Sequence, residues 1–172
     1  MKKQLKHIVF AITIVWNFFH DSCHAQTSQI DSLKISLSQA KNDSLKCQTL
    51  GELGASYYYH VNLSEALSSY ENALSLSKTL HYKQGIANSY SGIGMVQEAQ
   101  GNYEEAIQNM YASLKIMEEL GDQHHIVSTY VNMALVLADH GDFEQALKTQ
   151  IWQLKFLKNL EIVCIWVMLT IH

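Results

Sequence analysis

The sequence predicts an all-α fold, an α-solenoid in which antiparallel helix pairs stack one after another along the chain. The first observation is a repeat: small residues recur every 40 positions, in one series of Gly54, Gly94 and Ala134 and another of Ala66, Ala106 and Ala146. The second is the helical periodicity of the apolar residues within each unit. The third is the absence of proline from all 172 residues, since proline breaks helix interiors. Repetition at this period is typical of stacked units that bury each other's apolar faces.

Residues 1–25 predict a secretory signal peptide ahead of the repeats. Lys2, Lys3 and Lys6 give a positive start, an apolar run follows from 8 to 19, and a short polar stretch ends on Ala25. This order of features is typical of a cleaved export signal, and the apolar run is shorter than the roughly 20 residues that span a bilayer. We therefore expect an exported protein, periplasmic or secreted, that is cleaved after Ala25. The alternatives are an uncleaved anchor and a buried helix.

Residues 28–44 predict a leading helix. Ile30, Leu33 and Leu37 fall mostly on one helical face, and Asp31 places a negative charge near the positive end of the helix. Terminal units of repeat arrays need a cap on their outer side. We expect this helix to cover the open end of the stack.

Three repeats follow, at residues 47–86, 87–126 and 127–161. The predicted helix pairs are Cys47–His60 with Leu63–Leu80, Ala87–Gln100 with Tyr103–Leu120, and Val127–His140 with Phe143–Leu160. The breaks within the pairs are Val61-Asn62, Gly101-Asn102 and Gly141-Asp142. Glycine and asparagine tolerate the left-handed backbone that ends a helix. The residue before each second helix is then expected to cap it, with Glu65, Glu105 or Gln145 three positions later in a capping-box arrangement.

The six small residues of the two series are predicted to mark the closest approaches between helices. At such points a larger side chain does not fit between the two backbones. Larger apolar residues recur at the same period around them, and Leu74, Leu114 and Leu154 form one such set. We expect all of these positions to belong to the core.

The pattern resembles the tetratricopeptide repeat family, whose motif runs aromatic, x2, Leu-Gly, x2, Tyr, then Ala, x3, aromatic. The corresponding residues are Leu50, Leu53-Gly54, Tyr57, Ala66 and Tyr70, then Tyr90, Ile93-Gly94, Gln97, Ala106 and Met110, and more loosely Tyr130, Met133-Ala134, Leu137, Ala146 and Gln150. The resemblance covers about residues 45–160. It implies three repeats of this type behind the leading helix.

Two features depart from the family pattern. Equivalent landmarks such as Gly54 and Gly94 lie farther apart than the family's usual period of about 34 residues. The proline that usually closes a repeat is absent. Longer, proline-free repeats of this kind resemble those of exported bacterial proteins, including sensor regions of membrane histidine kinases and regulators.

The resemblance also implies a binding surface, the concave groove lined by the first helix of each pair. Carried over position by position, the groove residues are Gln48, Glu52, Ala55, Tyr58, Tyr59, Asn88, Ser91, Met95, Glu98, Ser128, Val131, Asn132, Leu135 and Asp139. Amide side chains can pair with an extended peptide backbone, and tyrosine offers a flat anchor. The implied partner is a protein or a peptide; the alternative is that these residues form solvated helix faces.

Some family members clamp a partner's terminal carboxylate with lysine, asparagine and arginine. The corresponding positions here are Gly51, Ala55, Gly92, Ser128 and Asn132. Only Asn132 offers a suitable side chain, so the sequence does not favour this mode of binding.

Several other classes of function are not favoured. The formal net charge is −4 and the chain has no arginine, so it lacks the basic surface that nucleic acids need. Beyond the predicted signal peptide, the histidines show no metal-ligand spacing: His124 and His125 are adjacent, and His60 and His140 end helices two repeats apart. No nucleophile motif or phosphate loop occurs. We expect no metal, no cofactor, no small-molecule substrate and no enzyme activity.

Residues 162–172 form an apolar tail that does not fit the repeat. A fourth repeat would begin near Val167, and the tail matches neither its pattern nor its length. One interpretation is that the chain is the front part of a longer protein whose gene is truncated or frame-shifted here. The other is that the tail folds back as a cap, with Trp166 over Leu137 and Leu154.

Three functions are consistent with these features. The first is a non-catalytic scaffold that binds a protein or peptide in the concave groove. The second is the periplasmic sensory input of a signal-transduction receptor, a histidine kinase or a transcriptional regulator, truncated before its membrane span and output domain. The third is a non-functional fragment of such a gene. Membrane contact is expected only through the signal segment or a missing downstream span, and the nucleotide sequence downstream would separate the three.

Overall fold

The computed structural model describes residues 29–41 and 43–170, and within this range every regular element is a helix. The helices are α1 at 29–39, α2 at Ser44–Tyr59, α3 at Leu63–Thr79, α4 at Lys83–Ala99, α5 at Tyr103–Leu120, α6 at Gln123–Asp139 and α7 at Phe143–Thr170. The predicted all-α class is thereby confirmed. The predicted signal peptide at 1–25 lies outside the described residues.

The chain divides into one unit of residues 1–40 and another of residues 41–172. The first unit contains α1, which lies inside the predicted leading helix and ends at residue 39 instead of 44. Within it, the Ser38 hydroxyl donates to the Ile35 carbonyl at 2.7 Å. That α1 covers the open end of the stack stays a prediction.

The second unit is the helix-pair solenoid. The pairs α2–α3, α4–α5 and α6–α7 contact each other in sequence through α3–α4 and α5–α6, and the first helices α2 and α4 also touch directly. This contact places α2 and α4 side by side, so these two first helices share one surface. Both helices carry residues of the predicted groove.

The turns between helices share one geometry. Each turn contains one residue with a positive φ angle: Val61, His81, Gly101, Gly121 and Gly141. The N–H of the next residue donates to a carbonyl in the last turn of the preceding helix. These bonds run from Asn62 to Tyr57 at 2.9 Å, from Tyr82 to Ser77 at 2.8 Å, from Asn102 to Gln97 at 2.8 Å, from Asp122 to Met117 at 3.0 Å and from Asp142 to Leu137 at 2.8 Å. The breaks predicted within the pairs are therefore correct, and the same device separates one pair from the next.

The predicted caps at Asn62 and Asn102 are wrong, because neither side chain makes a capping hydrogen bond. Asp142 does cap its helix, accepting from the Gln145 N–H at 3.1 Å. Asp43 and Asp122 accept in the same way from residues three positions later. The Asn102 amide instead donates to the Gln100 side-chain oxygen at 3.5 Å.

The first helices begin three or four positions earlier than predicted, at Ser44, Lys83 and Gln123. For α2 and α6, the aspartate just before the helix accepts a capping hydrogen bond and marks the start. Each repeat therefore starts before the predicted boundaries at 47, 87 and 127.

The last helix differs most from the prediction. It does not end at Leu160 but continues to Thr170, a length of 28 residues. The preceding second helix, α5, is followed by Gly121 in a left-handed conformation. In α7 the equivalent residue is Glu161, and no glycine or proline follows it. Leu137 lies next to the start of α7. Trp166 lies about 35 Å further along that helix. The interpretation of the tail as a cap over Leu137 does not fit this geometry.

Deleting residues 162–172 is expected to leave the stability of the repeats unchanged and to reduce self-association. The segment breaks the repeat period and contains no charged side chain apart from the terminal histidine. Helicity should fall only in proportion to the residues removed. Thermal denaturation and sedimentation of both chains provide the measurement; a midpoint lowered by several degrees would show that the segment stabilises the stack.

The small residues of both series lie in the interior. Ala66 and Ala106 are 0% exposed, Ala134 is 3% and Ala146 is 7% exposed, and Gly54 and Gly94 are buried. A Cβ atom on Gly54 would lie 3.0 Å from the Tyr70 ring, and one on Gly94 would lie 3.1 Å from the Ala106 carbonyl oxygen. These helices approach as closely as a glycine permits.

One predicted core position is exposed. Leu114 is 5% exposed and packs with Ile126 and Met133, but its repeat equivalent Leu154 is 64% exposed. No described helix follows α7 to cover Leu154 as α6 covers Leu114. Among the described residues, no helix combines the length and the apolarity that crossing a membrane requires.

Candidate functional site

A cleft of about 360 Å³ opens between α2 and α4 on the surface formed by the first helices. Its lining residues are Cys47, Gln48, Gly51, Glu52, Ala55, Tyr70, Gly85, Asn88, Ser89, Ser91, Gly92, Met95 and His125. On each helix these residues follow the three- and four-residue spacing that keeps side chains on one face. The cleft thus lies within the predicted groove.

Two glycines shape the cleft in opposite ways. No atom lies within 4 Å of the Cβ position of Gly51, so this glycine leaves the cleft open. A Cβ atom on Gly92 would lie 2.3 Å from Cε1 of Tyr70, so the tyrosine ring occupies the space that a side chain would need. Tyr70 comes from α3 and passes between the two first helices to reach the floor of the cleft.

Tyr70 is 7% exposed, and its ring packs against Gly54 and Gly92. Burial, with smaller effects of Tyr59 and Tyr58, raises the pKa of Tyr70 to about 12, so the hydroxyl keeps its proton. In the described part of the chain no group forms a hydrogen bond with this hydroxyl, although Tyr70 lines the cleft. The floor of the cleft therefore offers a hydroxyl that can both donate to and accept from a ligand.

Amide side chains border the cleft. Gln48 donates to the Tyr82 hydroxyl at 3.1 Å, and Gln84 donates to the Asn88 carbonyl oxygen at 3.2 Å. These bonds use the Gln48 nitrogen and the Asn88 side-chain oxygen. They leave the Gln48 oxygen and the Asn88 nitrogen available.

An aspartate–histidine pair closes the cleft on the α6 side. His125 Nδ1 lies 2.7 Å from Asp122 Oδ2. Burial acts to raise the pKa of Asp122, but the backbone and ring hydrogen bonds from His125 outweigh it and hold that pKa below its usual value. The carboxylate is therefore charged and engaged at neutral pH.

The groove continues from the cleft to a second cluster, which we call the acidic end. It consists of Tyr58 and Tyr59 of α2, Glu98 of α4 and Asp139 of α6, all near the last turns of their helices. The rings of Tyr58 and Tyr59 are edge-to-face with centroids 5.8 Å apart. Burial and then the Asp139 carboxylate raise the pKa of Glu98, and burial, Glu98 and Tyr59 raise the pKa of Tyr58. Each of the three repeats therefore places a polar side chain near the end of its first helix.

The structure distributes the predicted groove residues over these two places. Gln48, Glu52, Asn88 and Ser91 line the cleft, together with Ala55 and Met95. The acidic end contains Tyr58, Tyr59, Glu98 and Asp139. Ser128 and Asn132 belong to neither: Ser128 donates to the His125 carbonyl of its own helix at 3.0 Å, and Asn132 is half-buried.

The sequence analysis missed Tyr70 as a groove residue because its repeat position belongs to the core. Gly92 and Gly94 could have indicated this role, because they lie two residues apart inside one helix. Glycine is unfavourable in a helix interior unless a neighbouring side chain needs the space. In the described part of the chain, no group of three or more histidine, cysteine, aspartate or glutamate residues is placed to hold a metal ion.

Comparison with known proteins relates this architecture to solved folds. A family model described as tetratricopeptide repeat matches residues 85–150. The tetratricopeptide domain of Arabidopsis FLU is 23% identical, with a TM-score of 0.60, covering 66% of this chain and 95% of that one. Apo RapI is 16% identical, with a TM-score of 0.72, and the match covers 80% of this chain and 51% of that one. BtubC from P. vanneervenii is 20% identical, with a TM-score of 0.66, and the match covers 80% of this chain and 59% of that one.

The chain thus spans about half the length of RapI, 51%, and 59% of BtubC. At these identities the likeness shows the fold. No curated protein sequence matches the chain.

Proposed function

We propose that the chain is a scaffold that binds an extended segment of another protein in its concave groove. Tetratricopeptide repeats, whose family model matches residues 85–150, are protein-interaction modules. The mechanism is reversible binding without chemistry. The observation that supports it best is the cleft between α2 and α4, which combines an open surface at Gly51 with the buried Tyr70 side chain at its floor.

The groove has the chemistry that a peptide main chain requires. An extended segment presents alternating N–H and C=O groups, and buried polar groups need hydrogen-bond partners. Ser91, Asn88 and Gln48 offer side-chain donors and acceptors along the cleft, and Met95 adds an adaptable apolar contact. Such contacts recognise a main chain without demanding one particular sequence.

The size of the groove fits a short segment. Each first helix is 16 or 17 residues long and spans about 24 Å at 1.5 Å per residue. The cleft occupies only the part of α2 at residues 47–55 and the part of α4 at residues 85–95, roughly 15–20 Å. An extended chain covers about 3.3 Å per residue, which corresponds to about six residues. The bound segment is therefore expected to be short.

Filling the cleft at Gly51 is expected to weaken this binding strongly. Gly51→Phe introduces a ring into open space, whereas Ser68→Phe adds the same ring on the exposed face of α3 as a matched control. Peptides selected from a displayed random-peptide library on the full chain should bind Ser68→Phe normally. Binding to Gly51→Phe should be at least about tenfold weaker, or about 1.4 kcal/mol. Equal binding to both variants, or the absence of any selected peptide, would contradict the proposal.

Export and a sensory role remain proposals drawn from the sequence. The evidence for export is the layout of residues 1–25, and that for a sensory role is the resemblance of the long repeats to those of exported sensor regions. Both are compatible with groove binding, because a sensory input also acts by binding a partner.

A further inference from the structure

One side of α7 exposes a row of large apolar side chains. The row consists of Phe143, Leu147, Leu154 and Leu157, whose exposure ranges from 37% at Leu157 to 71% at Phe143. Their spacing of three, four and seven residues places them on one side of the helix. We call these four residues the open stripe.

The same four positions are covered in the preceding second helices. In α5 they pack in one cluster with residues of the next first helix, and three of the four do so in α3. The α5 residues are Tyr103, Ile107, Leu114 and Met117, which pack with Ile126, Met133 and Val136 of α6. The α3 residues are Leu63, Leu67 and Leu74, which pack with Ile93 and Val96 of α4. The open stripe is therefore the surface on which this fold places a further helix.

A second copy of the chain does not offer the matching face of a first helix. The positions that α6 uses against α5 correspond in α2 to Lys46, Leu53 and Ser56. The first is a charged residue, and Leu53 and Ser56 are already buried within their own chain. Stacking of copies head to tail is therefore disfavoured.

The charges beside the open stripe instead favour contact between two copies of α7. Glu144, Ile151 and Lys158 are spaced by seven residues, so they lie in one line along the flank of the stripe. When two copies run antiparallel about a two-fold axis at Ile151, Glu144 of each copy faces Lys158 of the other. A parallel pair would instead place like charges opposite each other. Glu144 already pairs with Lys148 at 2.6 Å, but its side chain is 79% exposed and has room for a second cation.

We propose that the open stripe of α7 is the interface through which two copies of this chain form an antiparallel dimer. Each stripe covers the other, as α6 covers the equivalent residues of α5, and the two pairs of Glu144 with Lys158 set the direction. The contact uses the same surface on both copies, so the assembly closes at two. Since the groove lies on first helices and the stripe on a second helix, the dimer carries two grooves and can hold a partner at two segments.

Sedimentation equilibrium of the full chain tests the interface. The parent should show a reversible equilibrium of monomer and dimer. Leu147→Glu with Leu154→Glu places carboxylates in the stripe and should raise the dimer Kd at least about a hundredfold, or by about 2.8 kcal/mol.

The matched control makes two glutamates with the same spacing elsewhere on α7. Trp152 and Asn159 are exposed and lie outside the stripe, so Trp152→Glu with Asn159→Glu should keep the dimer Kd within about threefold of the parent. Both variants keep residues 162–172, so any contribution of that segment is the same in each. Equal helicity by circular dichroism verifies that all three chains are folded.

Charge reversal tests the antiparallel direction. Glu144→Lys alone and Lys158→Glu alone should each raise the dimer Kd by about fivefold, because each turns two attractive pairs into repulsive ones. The chain with both substitutions should recover the parent affinity. Because the chain with both substitutions also lacks the pair of Glu144 with Lys148, its recovery would show that the charges act between copies.

Several results would overturn the proposal. A chain that stays monomeric up to about 1 mM, far above the Kd of a specific dimer, overturns it. Self-association that persists unchanged in the stripe variant overturns it too, because another surface is then responsible. Growth into open-ended assemblies would indicate head-to-tail contact. Failure of the double charge reversal to restore the affinity would rule out the antiparallel arrangement.

Discussion

Gly92→Ala is expected to destabilise the solenoid strongly, although alanine is the better helix former. The added Cβ atom would lie 2.3 Å from Cε1 and 2.5 Å from Cδ1 and Cζ of Tyr70, all ring atoms of a side chain that is 7% exposed. The ring has little room to turn away, because it also packs against Gly54. Overpacking of this kind costs about 1–3 kcal/mol or more, against a gain of up to about 1 kcal/mol in helix propensity.

Gly51→Ala is the matched control. It makes the same chemical change on the facing helix, where no atom lies within 4 Å of the new Cβ. The gain in helix propensity is unopposed there, so this variant should be more stable by up to about 1 kcal/mol. Urea denaturation of the parent and the two variants measures the effects. Changes of the same sign in both would show that the Tyr70 ring does not occupy the place described here.

A double-mutant cycle identifies the clash directly. In Tyr70→Leu the ring is absent, so adding Gly92→Ala should cost much less than it does in the parent. In Tyr70→Phe the contacting ring atoms remain, so the full cost should persist. A cost of Gly92→Ala that is independent of residue 70 would assign the effect to the backbone instead.

The turns were predictable because their requirements are local. Gly101 and Gly141 adopt positive φ angles of 81° and 89°, as expected for glycines that end a helix ahead of the next one. The caps were less predictable, since Asn62 and Asp142 occupy equivalent positions and only the aspartate bonds to the backbone. Both residue types are good caps, so the sequence pattern does not distinguish which of them makes the bond.

The groove was predictable as a helix face, and its depth was not. Helical spacing alone places Gln48, Glu52 and Asn88 on the concave side. The shape of that surface depends on the Tyr70 side chain of α3, which packs against Gly92 between the two first helices. The sequence pattern does not reveal this packing. Likewise, the exposure of Leu154 depends on what packs beyond α7, which the repeat pattern cannot supply.

Ala106→Leu is expected to have a comparably large effect at the centre of the stack. Ala106 is 0% exposed and belongs to the core cluster that joins α4, α5 and α6. Its carbonyl oxygen lies 3.1 Å from the Cβ position of Gly94, so the two backbones leave no room for three more heavy atoms. We expect a loss of about 1–3 kcal/mol or more, with a Tm lower by roughly 2–4 °C per kcal/mol.

Two alanines test whether the repeat position explains this effect. Ala99 is exposed at the end of α4, so Ala99→Leu should change stability by less than about 0.5 kcal/mol. Ala146 is the repeat equivalent of Ala106, but α7 packs mainly against α6, whereas α5 packs between α4 and α6. We therefore expect α7 to shift more easily to admit a larger side chain. Ala146→Leu should therefore cost less than Ala106→Leu and more than Ala99→Leu. Because all three variants make the same change in helical residues, any other order in the unfolding midpoints would mean that closeness of helix approach does not set the cost.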